Sequence, residues 1–316
     1  MHHIDVIPQL QPAHLEQLQE LVERATLADG HEPLGEHKFL RMKHGDDLAA
    51  GLVAYEGERM VAYAHTLMYG ADGGRRVSCE LVVHPDARGA GVGALLLDRV
   101  VEHSSQHGTT RLDVWSYNDS PSHSRLLADA GFVASRRLLH LHRHVRTAVK
   151  TERRDDLAIR SFAAADVEAL LQLNNRIFAG HPEQGSWTRE DFDVRMKQPW
   201  FTPQDVLLLE RDGALAGFCW LKVEQRGVEG LVGEIYVIGT IPEMRGSGAG
   251  RYLLGRAMER LNERQVRVAA IYVDESNRAA LGLYESSGFH HHHVDVSYSL
   301  DLAADRPRGG RIEAAA

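Results

Sequence analysis

Cysteine is scarce in this chain, long apolar runs are missing, and so is any dense block of basic residues. The two cysteines, Cys79 and Cys219, exclude a disulfide scaffold. One lies in each half, inside a strand-like run, so both read as buried free thiols. No apolar run reaches the length of a membrane-crossing helix. A formal net charge of −8 without a Lys/Arg block argues against nucleic acid or an anionic membrane as partner. The opening residues Met1 to Val6 lack the apolar core of a signal peptide, and the expected location is the cytoplasm. What remains is a chain of 316 residues, 43% apolar, long enough for two domains with a core each. It is read as a monomer.

The chain holds one glycine-rich loop twice. The first copy runs Val83-His84-Pro85-Asp86-Ala87-Arg88-Gly89-Ala90-Gly91-Val92-Gly93, the second Thr240-Ile241-Pro242-Glu243-Met244-Arg245-Gly246-Ser247-Gly248-Ala249-Gly250. Arg88 and Arg245 are 245 − 88 = 157 apart, and the later pairs Gly131-Phe132 and Gly288-Phe289 keep the offset, 288 − 131 = 157. A fixed offset held over this distance marks a duplicated domain.

Hydrophobic periodicity and turn residues give each copy the same order of elements. In the first half, helices are expected over 12–25, 94–101 and 121–130, and strands over 51–55, 60–68, 77–83 and 110–115. In the second, helices are expected over 166–175, 252–261 and 277–287, and strands over 206–210, 215–223, 233–240 and 267–273. The segment Arg146 to Asp156 is charged and poor in large apolar residues, which suits a linker. The expected domains are therefore 1–145 and 157–303, with a linker at 146–156 and a frayed tail at 304–316.

Each loop follows a strand and opens a helix. The exposed N–H groups and positive dipole end of a helix start attract a phosphate, and glycine lets the backbone approach it closely. Neither copy has the Lys-Ser/Thr ending of a nucleotide P-loop, and the G-x-G-x-G spacing after an arginine does not fit a dinucleotide fold. The pattern [RQ]-G-x-G-x-[GA] after such a strand resembles the pyrophosphate loop of the GCN5-related N-acetyltransferase family, which binds acetyl-CoA. The resemblance implies an α/β (α+β) fold: two tandem domains, each a mixed, mostly antiparallel sheet flanked by helices. It implies a coenzyme site in the first half at Leu81, Val82, Val83, Arg88, Gly89, Ala90, Gly91, Val92 and Gly93. In the second half it implies Ile238, Gly239, Thr240, Arg245, Gly246, Ser247, Gly248, Ala249, Gly250, Arg251 and Asn277. No metal is expected.

Acetyl transfer to an amine needs a base for the ammonium, a donor for the oxyanion and a proton for the departing thiolate. Glu234 interrupts the apolar run Leu231 to Val237, where a carboxylate can take the amine proton directly or through water. Tyr284 follows Asn277 by seven residues, so the two share a helical face. In the family, a tyrosine so placed is the general acid, the asparagine contacts the coenzyme arm, and backbone N–H groups such as those of Ile238 and Thr240 hold the thioester. Subtracting 157 maps Glu234 to Val77, Asn277 to Ser120 and Tyr284 to Leu127. The first half is thus expected to bind acetyl-CoA and not to turn it over.

The segment Asn174 to Thr188 follows the first helix of the second repeat. It is similar to the matching segment of a tandem, actinobacterial branch of the family that acetylates the cysteinyl amine of a cysteine–glucosamine–inositol conjugate. That likeness implies acceptor contacts from Glu183, Lys222, Glu234 and Tyr284, with Glu36 added from the first half. The alternatives are an N-acetyltransferase for another small amine or a protein N-terminus, and a non-catalytic acetyl-CoA sensor. The run His290-His291-His292-His293 is read as an exposed final strand, because neighbouring strand residues face opposite ways and nothing nearby in sequence completes a ligand set.

Overall fold

The computed structural model describes residues 3–35, 49–69, 74–145, 154–181, 184–185, 187–226 and 230–303. In chain order the elements are β1 (His3–Ile7), α1 (Pro12–Asp29), β2 (Ala49–Glu56), β3 (Arg59–Tyr69), β4 (Arg76–Val83), α2 (Val92–Gln106), β5 (Arg111–Ser116), α3 (Pro121–Asp129) and β6 (Val133–His144). The second repeat continues with β7 (Ala158–Ser161), α4 (Val167–Ile177), α5 (Arg189–Met196), β8 (Val206–Arg211), β9 (Ala214–Arg226), β10 (Gly230–Thr240), α6 (Ala249–Glu263), β11 (Val268–Asp274), α7 (Arg278–Ser286) and β12 (His290–Asp301). Among the described residues, no helix is long and apolar enough to cross a membrane.

The chain forms two compact units, Met1–Arg137 with Val294–Ala316, and Leu138–His293. These units part from the 1–145 and 157–303 repeats at the last strands. The first unit has strand order β1-β2-β3-β4-β5-β12, antiparallel except for the β4–β5 pair. The second has the order β6-β11-β10-β9-β8-β7, antiparallel except for β10–β11. Each sheet is thus completed by the other repeat's final strand. Apolar burial drives the exchange: Val296, Tyr298 and Leu300 of β12 join Leu96, Leu112 and Leu127 in the first unit's core. Burying each such side chain contributes about 1.5–3 kcal/mol.

Strand alternation sends successive residues to opposite faces of the first sheet. Leu52, Ala54, Ala62 and Ala64 meet Leu96, Leu97 and Val100 of α2, while Val53 and Tyr63 meet Leu18, Leu21 and Ala25 of α1. In the second unit Leu170 and Leu173 of α4 pack on Phe218 and Trp220 of β9, and Phe192 of α5 joins them. Cys79 and Cys219 are buried free thiols, as expected.

Candidate active site

The two loops have the same backbone. A single 3-10 turn, Pro85–Ala87 or Pro242–Met244, precedes each helix. Gly91 and Gly248, at φ +82° and +83°, are the N-caps of α2 and α6. That left-handed conformation strains any residue with a Cβ, and it turns the first N–H groups of the helix outward. Arg245, Gly246, Ser247 and Gly248 are exposed, as are Arg88, Gly89, Ala90 and Gly91. The loops differ in what holds them. Arg88 donates to both carboxylate oxygens of Asp29, at 2.6 and 2.8 Å, and to the Val83 carbonyl. Among the described residues Arg245 has no such partner. Instead Arg154 donates from its Nη1 to the Ser247 carbonyl at 2.6 Å. It supplies a cation beside the loop from a segment that the sequence shows only as linker. Arg251 is tied to Ser286 Oγ at 2.7 Å.

The strands before the loops are built differently. On β10, Ile235 lies opposite Leu221 and Val237 opposite Trp220, so Tyr236 is an extra residue, a β-bulge. The β3–β4 register runs without a shift from Tyr69–Arg76 to Ala62–Val83. The bulge corrects one correspondence drawn from sequence. Glu234 lies opposite Ala270 on β11, and Ser78 lies opposite Asp113 on β5, with 270 − 113 = 157. Ser78, not Val77, therefore occupies the place of Glu234, because the fixed offset counts the bulged residue as part of the strand. Neither residue is a carboxylate, so the asymmetry stands.

The parallel pairs also end at different points. The β10–β11 pairing stops at Glu234–Ala270. The β4–β5 pairing continues past Ser78–Asp113 through Cys79–Val114 and Glu80–Trp115. Past Glu234, then, among the described residues β10 has a ladder on its β9 side only. Ile241 N–H donates to Ala216 on β9, so by alternation the N–H groups of Thr240 and Ile238 face the side that β11 has left. An unpaired strand edge of this kind suits an extended amide-containing arm.

Glu234 is half-buried and lies directly opposite Lys222 on β9, which puts their side chains side by side. Lys222 is buried, with its Nζ 3.0 Å from Glu224 Oε2 and 5.4 Å from the centre of the Trp200 ring. Trp200, Trp220 and Tyr236 pack at 5.3–6.1 Å between ring centres. The Tyr236 hydroxyl accepts from Arg195 Nε at 3.1 Å, and that guanidinium sits over Trp187 at 4.1 Å. This aromatic nest holds the bulged residue in place. Sequence reading passed over Tyr236, Arg195 and Trp200. The available signal was three of the chain's four tryptophans, Trp187, Trp200 and Trp220, gathered in one repeat.

Tyr284 lies on the buried face of α7, 6.0 Å from the Phe289 ring. Burial pushes its phenol well above the ordinary tyrosine range, and the Cys219 thiol adds to the shift. Cys219 lies opposite Ile238, in the part of β9 that pairs with β10 past the bulge. Asn277 caps the same helix, accepting from Ala280 N–H at 3.2 Å. Asn174 and Asn175 tie the end of α4 to the segment after it: Asn174 Nδ2 donates to the Gln184 carbonyl at 2.7 Å, and Asn175 Nδ2 to the Trp187 carbonyl at 2.9 Å. Glu183 and Glu36 lie outside the described residues.

In the first unit, the corresponding region at the end of the β4–β5 pair is filled. Glu80 is 1% exposed. It accepts from the Tyr117 hydroxyl at 2.5 Å and from Gly35 N–H at 2.8 Å. Leu127, at the place of Tyr284, is packed in the core. Ser120, at the place of Asn277, still caps its helix, α3, through His123 N–H.

A family model described as the Acetyltransferase (GNAT) family matches residues 15–132 and 167–289. A relative named mycothiol acetyltransferase from Thermobispora bispora is 39% identical over 292 residues, covering 91% of this chain and 96% of that protein. Another of the same name from Acidothermus cellulolyticus is 36% identical over 306 residues, covering 92% of each. Among solved structures, a tandem GNAT protein from the clavulanic acid biosynthesis pathway superposes with TM-score 0.73 at 17% identity, over 96% of this chain and all of that one. A GCN5-related N-acetyltransferase from Sphaerobacter thermophilus gives TM-score 0.68 at 24% identity, over 95% and 96%. These two share the fold. The chain is an acyltransferase, and it belongs to the GNAT acetyltransferase family as a tandem member with one domain matched in each half.

Proposed function

We propose that this chain transfers acetyl from acetyl-CoA to the cysteinyl amine of cysteinyl-glucosaminyl-inositol, giving mycothiol and CoA, and that only the second unit does so. The observation that carries the assignment to the second unit is the bulge at Tyr236 together with the parting of β10 and β11 at Glu234. The relatives named mycothiol acetyltransferase, matched over nearly their whole length, support the choice of acceptor.

In this reading the pyrophosphate sits at the start of α6, against the loop Arg245–Gly250, with Arg154 beside it. The pantetheine arm pairs with Ile238 and Thr240 N–H and passes Asn277. Glu234 takes a proton from the acceptor ammonium, whose pKa is about 7.7–8.0 when free. The amine then attacks the thioester carbonyl, a backbone N–H of β10 near the bulge receives the oxyanion, the C–S bond breaks, and the second proton shed by the nitrogen passes to the departing thiolate as amide and CoA thiol form. The raised pKa keeps the proton on the Tyr284 phenol at neutral pH. A thiol is the stronger acid, so Tyr284 acts on the departing sulfur as a hydrogen-bond donor whose bond tightens as charge builds there. Lys222 and Glu183 would bind the hydroxyl-rich acceptor. The first unit keeps the loop, and Val83 lies past the last β4–β5 pair, whereas Leu81 N–H belongs to that ladder. This unit is proposed to bind acetyl-CoA without turning it over, with Glu80 and Tyr117 closing the acyl end.

The test is release of CoA thiol with cysteinyl-glucosaminyl-inositol as acceptor, set beside an aminoglycoside and a peptide N-terminus. Preference for either of the latter would reassign the acceptor. No thiol release with any amine would leave an acetyl-CoA sensor.

A further inference from the structure

The histidine run at the start of β12 does not stand alone in the fold. In the second unit β6 brings two more histidines to it, His140 and His142, which share a strand face. His140 Nδ1 lies 3.2 Å from His293 Nδ1, and His293 Nδ1 lies 2.8 Å from His292 Nδ1. One ring nitrogen from each of His140, His292 and His293 falls within 4.8 Å of the others. The His142 ring stacks on His292 at 3.9 Å and meets His140 at 4.6 Å. The support is built. His140 is buried, lies opposite Tyr272 on β11, and stacks on that ring at 4.1 Å.

We propose that His140, His292 and His293 form a binding site for a divalent transition metal, zinc in the first instance, with His142 beside them. Zinc binds imidazole nitrogen at about 2.0–2.1 Å, which puts neighbouring ligand atoms about 3.3 Å apart in a tetrahedron and about 2.9 Å apart at a right angle. The observed 3.2 and 2.8 Å fall at those two spacings. An all-imidazole set suits zinc, nickel or copper and disfavours calcium or magnesium. The alternation rule fails at His292 and His293 because their two Nδ1 atoms meet instead of diverging, which sequence alone does not reveal.

The site is separated from Glu234 by β11, so its role is structural. It ties β6, contributed by the first repeat, to the strand that ends the second, across 293 − 140 = 153 residues of sequence. Metal held there stabilises the folded chain by mass action.

The test uses the full chain without an affinity tag, stripped by a chelator. Zinc chloride is titrated by calorimetry in the presence of a competing chelator, and cobalt(II) absorption reports the ligand geometry. Expected are one equivalent bound at micromolar affinity or better, a higher melting temperature, and a cobalt spectrum of nitrogen ligation. His292→Gln, at an exposed position, should weaken binding at least roughly tenfold, and so should His140→Gln, whereas His290→Gln should not. Should His140→Gln misfold, His292→Gln against His290→Gln still decides. Absence of tight binding to the wild type overturns the proposal. So does equal loss in His290→Gln and His292→Gln, which would mean that the run chelates metal by itself.

Discussion

The two units start their phosphate loops alike and differ one strand earlier. Both have a helix capped by a left-handed glycine and outward N–H groups. Only in the second is the strand before the loop bulged, with an early parting of its parallel pair and a half-buried carboxylate at the parting, and only there does the helix after the parallel pair bury a tyrosine. In the first, the parallel pair runs on and Glu80 is sealed by Tyr117 and Gly35. Under the proposed function, gripping the nucleotide end of a coenzyme and working on its acyl end are separable within one fold: the loop would supply the first capacity, and the strand forced out of register the second.

The comparison breaks most readily at Glu234. Glu234→Gln should lower kcat/KM by on the order of 10²–10⁴-fold near pH 7, with the loss shrinking as pH rises and the free amine accumulates. Stopped-time thiol release across pH 6.5–9 checks both (about two units around the amine's pKa). A loss of only a few-fold at pH 7 would remove the base from the second unit and most of the contrast with it. The converse graft, Ser78→Glu with Leu127→Tyr, should confer no turnover on the first unit, since the strand there stays unbulged.

Tyr284→Phe keeps the ring and deletes the hydroxyl. We expect kcat to fall by roughly 10²-fold, about 3 kcal/mol, with little change in acetyl-CoA affinity. A fall in affinity with kcat intact would make the tyrosine a packing residue. The loops are tested next. Gly248→Glu puts a strained backbone and a like charge where the phosphate belongs, so KM for acetyl-CoA should rise at least about tenfold. Gly91→Glu should spare steady-state turnover and abolish coenzyme binding to the first unit by calorimetry. If Gly91→Glu costs the same activity, the first loop feeds the reaction.

The smallest effect concerns the sealed carboxylates of the first unit. Burial raises Asp295 from 3.8 to about 6, with Asn118 N–H pulling it back and the charge of Glu80 adding to the rise. A folded pKa above the unfolded one means stability that is fully present below about pH 4 and lost as pH climbs through about 6. Asp295→Asn should flatten that loss, about 1–3 kcal/mol in size. Denaturant midpoints of both proteins from pH 4 to 7 decide it, and parallel curves would mean that Asp295 stays ionised throughout.

Much of this was legible beforehand because it rests on local chemistry. The loops, the helices they open and the strands around Gly57 and Gly213 were read within a few residues, since glycine turns and apolar periodicity are local signals. The presence of Glu234 and Tyr284 in one repeat only was equally visible. What escaped depends on partners distant in sequence. The bulge at Tyr236 needs Trp200 and Arg195, which lie more than thirty residues upstream. Arg154 reads as linker until the fold lays it on Ser247. β1 and β7 were missed because they are short, α5 because charged residues outnumber apolar ones in it, and β6 because its arginines and histidines hide the alternation.

The traded final strands set an order of events during synthesis. When residue 137 leaves the ribosome, the first unit has every strand but its last, and that one, from Val294 onward, comes after residues 138–293. At ordinary elongation rates the wait is on the order of ten to thirty seconds. During it the edge of β5 is open, and the nearest candidate to fill it is β6, just made and cut to the same repeat pattern. A nascent chain that lets β6 dock there must undo the docking before the second sheet can be finished. A chain cut at residue 145 should fall into that arrangement permanently. The second repeat is thus part of the folding instructions of the first, and a truncated half would report on a trapped state of the chain instead of a native unit.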